Sequence, residues 1–574
     1  MNMKKLFFAI LSVALLCTAC EKSSLPQLEQ NPYRKVVEYT PGTYTMEVPG
    51  NLTADMLYDW LSMSQSGNTA TFTIRRNTQD IIRRAEFTIA GSNQKAVISQ
   101  KAHKLDGAIT AAIVNQGATQ VTLSSNLATA FADDYEKWGV IYSKTSDIAA
   151  GKEVPQSGTP GKNQATIDGL EEGVDYFLWT YVISTEGDKI ISNMIPLIAP
   201  VCVKAGENLQ AAIDNAKEFA EIRVQGGASF NGPIYMGGKN VNKSVSGGWD
   251  ASFTTQSLDN LSVLNGNSSN YGFWCAEQDG TPMNGYCNIS YFEVKGCKGD
   301  HGTAFHCVGG PITITYCYVH DNWSEKGAIG TNEGKHATQL TVANCKVVNN
   351  GGDGGHGPAF GFGEGKSDAE PVTAVLVNNL IAGNVASKKD GYASTFICYN
   401  QTNLVLVNNT IVDNYNWAEY GGPYSGLVLR GDVASAFVNN IIVGNCTSPC
   451  TQEMTTPAYE RQDNFINMGG GAGTLAYNII EGAIKESDNI TLENNINVDL
   501  GVDVSTIVSS SFQPLGKALG AGTLGDVTYN SKKADMKGPF TVKVGELLEK
   551  YNTDLAGNPR VVDGKVDLGC YQAQ

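Results

Sequence analysis

Five segments of this chain superimpose almost letter for letter: 312-ITITYCYVHDN-322, 340-LTVANCKVVNN-350, 374-AVLVNNLIAGN-384, 404-LVLVNNTIVDN-414 and 435-SAFVNNIIVGN-445. Their closing asparagines, Asn322, Asn350, Asn384, Asn414 and Asn445, are 28, 34, 30 and 31 residues apart, a period that belongs to stacked units. Each unit carries alternating apolar, β-branched residues and then an Asn or Gly turn, with no 3.6-residue period. One unit cannot bury its apolar face alone. Units stacked at about 4.8 Å set like residue over like and build a continuous core. The repeat therefore predicts an all-β chain whose main body is a parallel solenoid. Its sixth position is Phe292 in an earlier, weaker copy (287-CNISYFEVKGC-297), then Cys317, Cys345, Asn379, Asn409 and Asn440. Stacked asparagines that hold turns are expected there.

At 574 residues the chain is too long for one ordinary core, so several domains are expected. The net charge of −16 and a pI near 4.9 oppose the counterion release that drives binding to phosphate backbones, which argues against a nucleic-acid partner. Residues 1–20 begin with Lys4-Lys5, continue through a short apolar run from Leu6 to Leu16 and end in small residues before Cys20, the layout of an export signal too short for a comfortable membrane span. The sequence Cys17-Thr18-Ala19-Cys20 resembles a bacterial lipoprotein signal, although Cys17 stands where Leu is usual. The resemblance implies lipidation of Cys20, a membrane anchor and placement at the outer membrane or cell surface, with residues 21–32 as a linker.

Thirteen cysteines suggest a disulfide framework until they are set on the repeat. Cys317 and Cys345 share one column, and Cys307 and Cys398 fall at matching places in another strand, as small apolar core residues would. Cys446 and Cys450 are spaced to close a loop, but pairing cannot be deduced from sequence.

Residues 33–104 alternate in short strands, among them Tyr44 to Val48, Ala70 to Ile74, Ala85 to Ala90 and Lys95 to Gln100. Trp60-Leu61-Ser62, 70-ATFTIRRNT-78, 83-RRAEFTIAG-91 and 96-AVISQ-100 resemble the BACON module of Bacteroidetes surface proteins, a small β-sandwich. Residues 105–200 alternate again, and Leu170 followed by Tyr176 is similar to the tyrosine corner of a fibronectin type III sandwich. Trp138, Tyr176 and Trp179 are expected in its core rather than on a sugar platform. Two sandwiches in this position make a stalk.

Within 201–574, 207-ENLQAAIDNA-216 predicts a helix that caps the solenoid's first strand. The block 221-EIRVQGG-227, 245-VSGGWDASF-253 and 262-SVLNGN-267 resembles the start of right-handed parallel β-helices of the pectate-lyase-like superfamily. The ending 554-DLAGNPRVVDGKVDLGCYQ-572 resembles the closing signature of the choice-of-anchor Q group. These resemblances imply an all-β fold, a right-handed parallel β-helix of about nine or ten coils preceded by two small β-sandwich domains. An elongated polymer fits the flank of such an object, so a polysaccharide partner is expected.

A second strand family, 303-TAFHCV-308, 327-GAIGTN-332, 358-PAFGFG-363, 394-STFICY-399 and 426-GLVLRG-431, lies between the repeats. If Phe305, Ile329, Phe360, Phe396 and Leu427 point inward, alternation sends His306, Asn332, Tyr399 and Arg430 outward as a groove floor. Five of the six histidines, His301, His306, His320, His336 and His356, fall within 56 residues beside it, and imidazole transfers protons near neutral pH. The candidate catalytic residues are His306, His356, Arg430 and Lys388. Trp323, Asn332, Tyr399, Trp417, Glu419 and Tyr420 are candidates for sugar stacking and hydroxyl hydrogen bonds. Asp353, Glu364 and Asp368 could supply oxygen ligands to Ca²⁺. The pectate-lyase arrangement of an arginine base beside a calcium site is not present, and neither is a polygalacturonase acid pair. The expected function is binding of an extracellular polysaccharide along this groove, with lyase or hydrolase cleavage as the stronger form; the alternative is a non-catalytic adhesin or structural surface protein.

Overall fold

The structure, a computed structural model, describes residues 31–573 except 78, 80, 102–108, 118, 128–134, 161–162, 185–188, 332–333, 353–356, 368, 387–392, 417–424, 431–432, 446–464, 469–470, 482–488, 499–509 and 531–538. Two compact units emerge: residues up to Leu170 together with Asp175–Leu197, and Glu171–Val174 together with Ile198 onward.

In the first unit, strands Arg34–Val37, Lys95–Gln100, Arg83–Ile89 and Leu52–Ala54 make one sheet, and Gly42–Glu47, Thr69–Ile74 and Leu61–Ser66 make another. Alternation turns Ala70, Phe72 and Ile74 of one sheet toward Ala85, Phe87 and Ile89 of the other in a shared core, with the Phe72 and Phe87 rings 5.2 Å apart. Between Ile109 and Leu197 a three-stranded and a five-stranded antiparallel sheet follow. There Trp138, Tyr176 and Trp179 are buried, as core residues should be.

The second unit is the solenoid, a parallel β-helix. Among the described residues its strands form parallel sheets of eleven, ten, eight and five strands. In the eleven-stranded sheet one inward column runs Ile222, Val245, Ile289, Ile314, Val342, Leu376, Leu406, Phe437 and Leu475, each on the register partner of the last. All of these are buried. The chain then turns through a fifth repeat residue held at positive φ: Tyr291 59°, Tyr316 54°, Asn344 54°, Asn378 55°, Asn408 58° and Asn439 60°. Asparagine adopts this left-handed conformation more readily than most residues.

The next asparagine points inward and joins a ladder. Asn379 Nδ2 donates to Asn409 Oδ1 at 2.9 Å, Asn409 to Asn440 at 3.0 Å, Asn440 to Asn478 at 2.9 Å and Asn478 to Asn495 at 2.9 Å. The closing asparagines form a second ladder, Asn322 to Asn350, Asn384, Asn414 and Asn445, at 2.9, 3.0, 2.8 and 2.6 Å. Buried amides satisfied in this way cost little and fix register. Where the first ladder meets cysteine, Cys317 N–H donates to Cys345 Sγ at 3.4 Å. The nine described cysteines are free thiols, eight of them buried; Cys446 and Cys450 lie outside the described residues.

The first end is closed by a helix. Helix α1, Leu209–Asn215, is capped by Asn208, whose side chain accepts from Ala211 N–H, and it buries Leu209 and Ile213 over the first coils. The described residues between 510 and 573 lie along the solenoid and add no strand to its parallel sheets. Asn344, Asn378, Asn408 and Asn439 donate to carbonyls of Thr553, Tyr551, Asp567 and Thr523 at 2.8–3.1 Å. Helix α2, Val544–Lys550, places Val544 and Leu548 against Val377, Val407 and Ala436. The closing signature works here as a clasp. Asp554 accepts from the N–H groups of Ala556, Asn558 and Gln572, and the fully buried Arg560 donates to the carbonyls of Asp567 and Gly569, both at 2.6 Å.

Candidate functional site

The second strand family forms the eight-stranded sheet. Its register sets Phe273 on Phe305, Ile329, Phe360, Phe396 and Leu427, and Phe305, Ile329, Phe360 and Leu427 are fully buried, as inward residues. The opposite side of these strands is open only in part: Gly361, Gly363 and Tyr399 line a cavity, while other positions are covered. His306 is 4 % exposed, and Val308 and Ile397 are fully buried. The cause is backbone packed on backbone. A Cβ at Gly302 would meet the Gly330 carbonyl oxygen at 2.7 Å and the His306 Cα at 2.9 Å, and one at Gly361 would meet the Lys326 carbonyl oxygen at 2.4 Å. The chain leaving strands Lys298–His301 and Trp323–Lys326 of the five-stranded sheet therefore lies against His306, Gly330 and Gly361.

His306 is correspondingly placed as a wall element. Its ring stacks on Trp274 at 4.0 Å and 20°, its Nδ1 lies 3.1 Å from the His301 carbonyl oxygen, and burial pushes its pKa down to about 4. It is neutral at pH 7 and does not line the open cavity, which corrects its expected place on the groove floor. Trp274 was not singled out from sequence, although 273-FWC-275 and 305-FHC-307 carry the same pattern.

Beside this wall a cavity of about 290 Å³ is lined by His301, Lys326, Thr331, Gly361, Phe362, Gly363, Glu364 and Tyr399. His301 and Lys326 arrive as register partners on adjacent strands of the five-stranded sheet. Glu364 and Tyr399 follow the ends of strands Phe360–Phe362 and Ala393–Cys398. His301 Nδ1 is 2.9 Å from an Asp300 carboxylate oxygen. Burial, then the positive charge of Lys326, lowers the His301 pKa despite that carboxylate, so the ring is neutral at pH 7. Glu364 takes a hydrogen bond from Asn400 Nδ2 at 3.2 Å and lies 3.4 Å from Lys335 Nζ. His336, whose N–H donates to the Glu364 carbonyl, is also held below the ordinary imidazole pKa by burial. The site combines a neutral imidazole, an ammonium, a phenol and a carboxylate. It can neutralise an acidic group, hydrogen-bond hydroxyls and move a proton.

The other expected residues divide by place. Trp323 is 38 % exposed at the far end of the strand that carries Lys326, with its ring over Gly351, outside the cavity lining. Arg430 ends strand Ser425–Arg430, but its side chain lies outside the described residues. His356, Lys388, Asn332, Trp417, Glu419, Tyr420, Asp353, Asp368 and Cys20 also lie outside them. Among the described residues no group of three His, Cys, Asp or Glu is arranged to hold a metal. Among the described residues Glu364 is engaged by the Asn400 amide and the Lys335 ammonium. His320 sits apart on the ten-stranded sheet, 2.7 Å from Asp321 and 3.0 Å from Glu293. A larger depression of about 790 Å³ over that sheet, lined by Tyr318, Lys346, Leu380 and Tyr571 among others, contains no histidine.

No family model matches this chain, and no curated protein is significantly similar to it. Among solved structures it is similar to a family 28 exopolygalacturonase of Yersinia enterocolitica (8 % identity, 68 % of this chain and 97 % of that one, TM-score 0.20). It is also similar to the pectate lyase PelI of Erwinia chrysanthemi in complex with tetragalacturonic acid (10 % identity, 68 % and 91 %, TM-score 0.13), and to the FN1-FN3 domains of chicken CNTN1 (11 % identity, 28 % and 67 %, TM-score 0.16). At these TM-scores the likenesses carry no weight of their own, and the β-helix is established by its ladders.

Proposed function

We propose that this protein binds an acidic extracellular polysaccharide through the flank of its β-helix, at the cavity where His301, Lys326, Glu364 and Tyr399 converge. That convergence is the single observation that carries the reading. Lys326 suits a uronate carboxylate, while Tyr399 and Glu364 suit ring hydroxyls. A cavity of about 290 Å³ holds a short stretch of a chain, so the partly covered row confines recognition to a local subsite rather than a long open groove. The stronger form of the reading is cleavage by β-elimination. The neutral His301 imidazole would take the proton next to the carboxylate, and Tyr399 would protonate the leaving glycosidic oxygen as the C–O bond breaks. Export through residues 1–20 and a lipid on Cys20 would bring the protein to such a substrate.

The test is a panel of pectin, alginate and glycosaminoglycan fragments, read by isothermal titration for binding and by ultraviolet absorbance of unsaturated uronate for cleavage. Binding that falls at least tenfold in Lys326→Ala supports the site. Product that disappears in Tyr399→Phe while binding persists supports the elimination. Binding without product leaves a lectin-like adhesin, and binding unchanged in Lys326→Ala removes the site altogether.

A further inference from the structure

The depression of about 790 Å³ lies over a different sheet from the Lys326 cavity. Its floor is three adjacent strands of the ten-stranded sheet, Tyr318–His320, Lys346–Val348 and Leu380–Ala382. Their middle residues Val319, Val347 and Ile381 are fully buried in the core. Alternation therefore turns Tyr318, Lys346 and Leu380 outward, and register sets them in one column, about 4.8 Å apart. Leu258 and Asp259 join the lining from the chain before strand Ser262–Asn265, and Phe512 and Tyr571 join it from the segment laid along the solenoid.

The Tyr318 ring is half-exposed yet held in place. It stacks on His320 at 4.0 Å and 24°, and His320 is itself gripped by Asp321 at 2.7 Å and Glu293 at 3.0 Å. His320 does not line the depression, so the depression meets the other face of the Tyr318 ring. A ring fixed in advance loses little freedom when a ligand settles on it. Ser511 and Phe512, both in the lining, hold φ of 56° and 65°. Two successive non-glycine residues in the left-handed region are strained, and such strain gathers where ligands are held. Packing of Phe512 against the cluster of Leu380, Ala382, Leu555 and Tyr571 maintains it. The charged groups of the lining are one ammonium, Lys346, and two carboxylates, Asp259 and Asp413.

We propose that this depression binds a stretch of a neutral glycan chain, with the C–H face of one sugar on Tyr318 and hydroxyl edges meeting Lys346, Asp259 and Asp413. An acyl chain or an apolar peptide would bury those three charges without partners. An acidic chain would set its own charge against two carboxylates and one ammonium. A neutral sugar offers both surfaces the lining asks for, C–H faces to the aromatic rings and hydroxyls to the charged groups. The inference goes beyond the proposed function: it concerns another sheet and needs neither the acidic chain nor its cleavage.

The experiment is isothermal titration of the chain from Glu21 to Gln574 with cellohexaose, mannohexaose, xylohexaose and maltohexaose. At least one is expected to bind with a Kd below about 1 mM. Tyr318→Ala should weaken that binding about tenfold, and Tyr318→Phe, which keeps the ring, by less than about threefold. Trp323→Ala, which removes an exposed ring on a strand outside this sheet, should leave it unchanged. Circular dichroism on each variant separates loss of the site from loss of the fold. Excess hexagalacturonate should not displace the neutral hexaose. If hexagalacturonate binds nowhere while the hexaose still binds through Tyr318, the acidic reading of the Lys326 cavity falls and this one stands. No binding of any hexaose at about 10 mM, undiminished binding in folded Tyr318→Ala, an equal loss in Trp323→Ala, or displacement by hexagalacturonate would each overturn the proposal.

Discussion

Replacing Asn409 with leucine asks how much of the solenoid's stability resides in a single rung. The Asn409 side chain makes five buried hydrogen bonds: its Nδ2 donates to Leu376 O, Val407 O and Asn440 Oδ1, and its Oδ1 accepts from Asn379 N and Asn379 Nδ2. Leucine fills similar space but answers none of them. The Asn379 backbone N–H loses its partner outright, a penalty of about 1–3 kcal/mol for a buried donor, and the other bonds contribute about 0.5–1.5 kcal/mol each. Shared and bifurcated geometry reduces their sum, which leaves an expected loss of about 3–5 kcal/mol. The same column offers an internal control. At Cys345 a thiol serves, accepting from Cys317 N–H and donating to Ala343 O at 3.3 Å, so Asn409→Cys should lose less than Asn409→Leu. Guanidinium unfolding measures the loss, and hydrogen exchange of the segment 374–384 locates it. A leucine variant as stable as the parent, or a cysteine variant less stable than the leucine one, would refute the idea that the ladder's hydrogen bonds rather than its shape hold the coils.

Two further perturbations follow from buried charge. The folded pKa of His306, about 4, lies below the ordinary 6.5, so the unfolded chain binds more protons between those values. Stability is then fully present above pH 6.5 and falls by about 3 kcal/mol on the way to pH 4. His306→Phe, which keeps a ring against Trp274, should flatten that limb of a pH series of denaturation curves; an unchanged slope would show that other groups cause it. Arg560→Met leaves the carbonyls of Asp567 and Gly569 and the buried carboxylates of Asp554 and Asp567 without their cation. That should cost about 3 kcal/mol or more and speed proteolysis of residues 510–573; undiminished resistance would deny Arg560 its role in the clasp.

The architecture was legible because it is periodic. Asn322 through Asn445 repeat in kind and in spacing, and the two ladders lie where those letters fall. The inward column Phe305, Ile329, Phe360 and Leu427 was equally plain, since alternation needs only a few residues to declare itself. Alternation says which way a side chain points and nothing about what covers it, so the burial of His306 and Ile397 escaped notice. Its trace was in the letters all the same: glycine at 302, 327, 330 and 361 marks where one backbone must approach another. The strands of the five-stranded sheet, two to four residues long, are too short to show a pattern, and with them went the pairing of His301 with Lys326. Helix α2 and the segment laid along the solenoid were hidden because their contacts are tertiary. Arg560 and Asp554 look like ordinary loop residues until the carbonyls they hold are known.

The clasp also imposes an order of events on the growing chain. Tyr316 meets Thr553 across 237 positions, and Asn344 meets Asp554 across 210. Coils that emerge early from the ribosome therefore wait for the last few dozen residues before Leu380, Val412 and Ile441 are covered. Until then an oily stripe stands uncovered along several turns. Truncation near the C-terminus should consequently do its harm in biogenesis, through stickiness and the need for a holding chaperone, more than through any change in the finished coils.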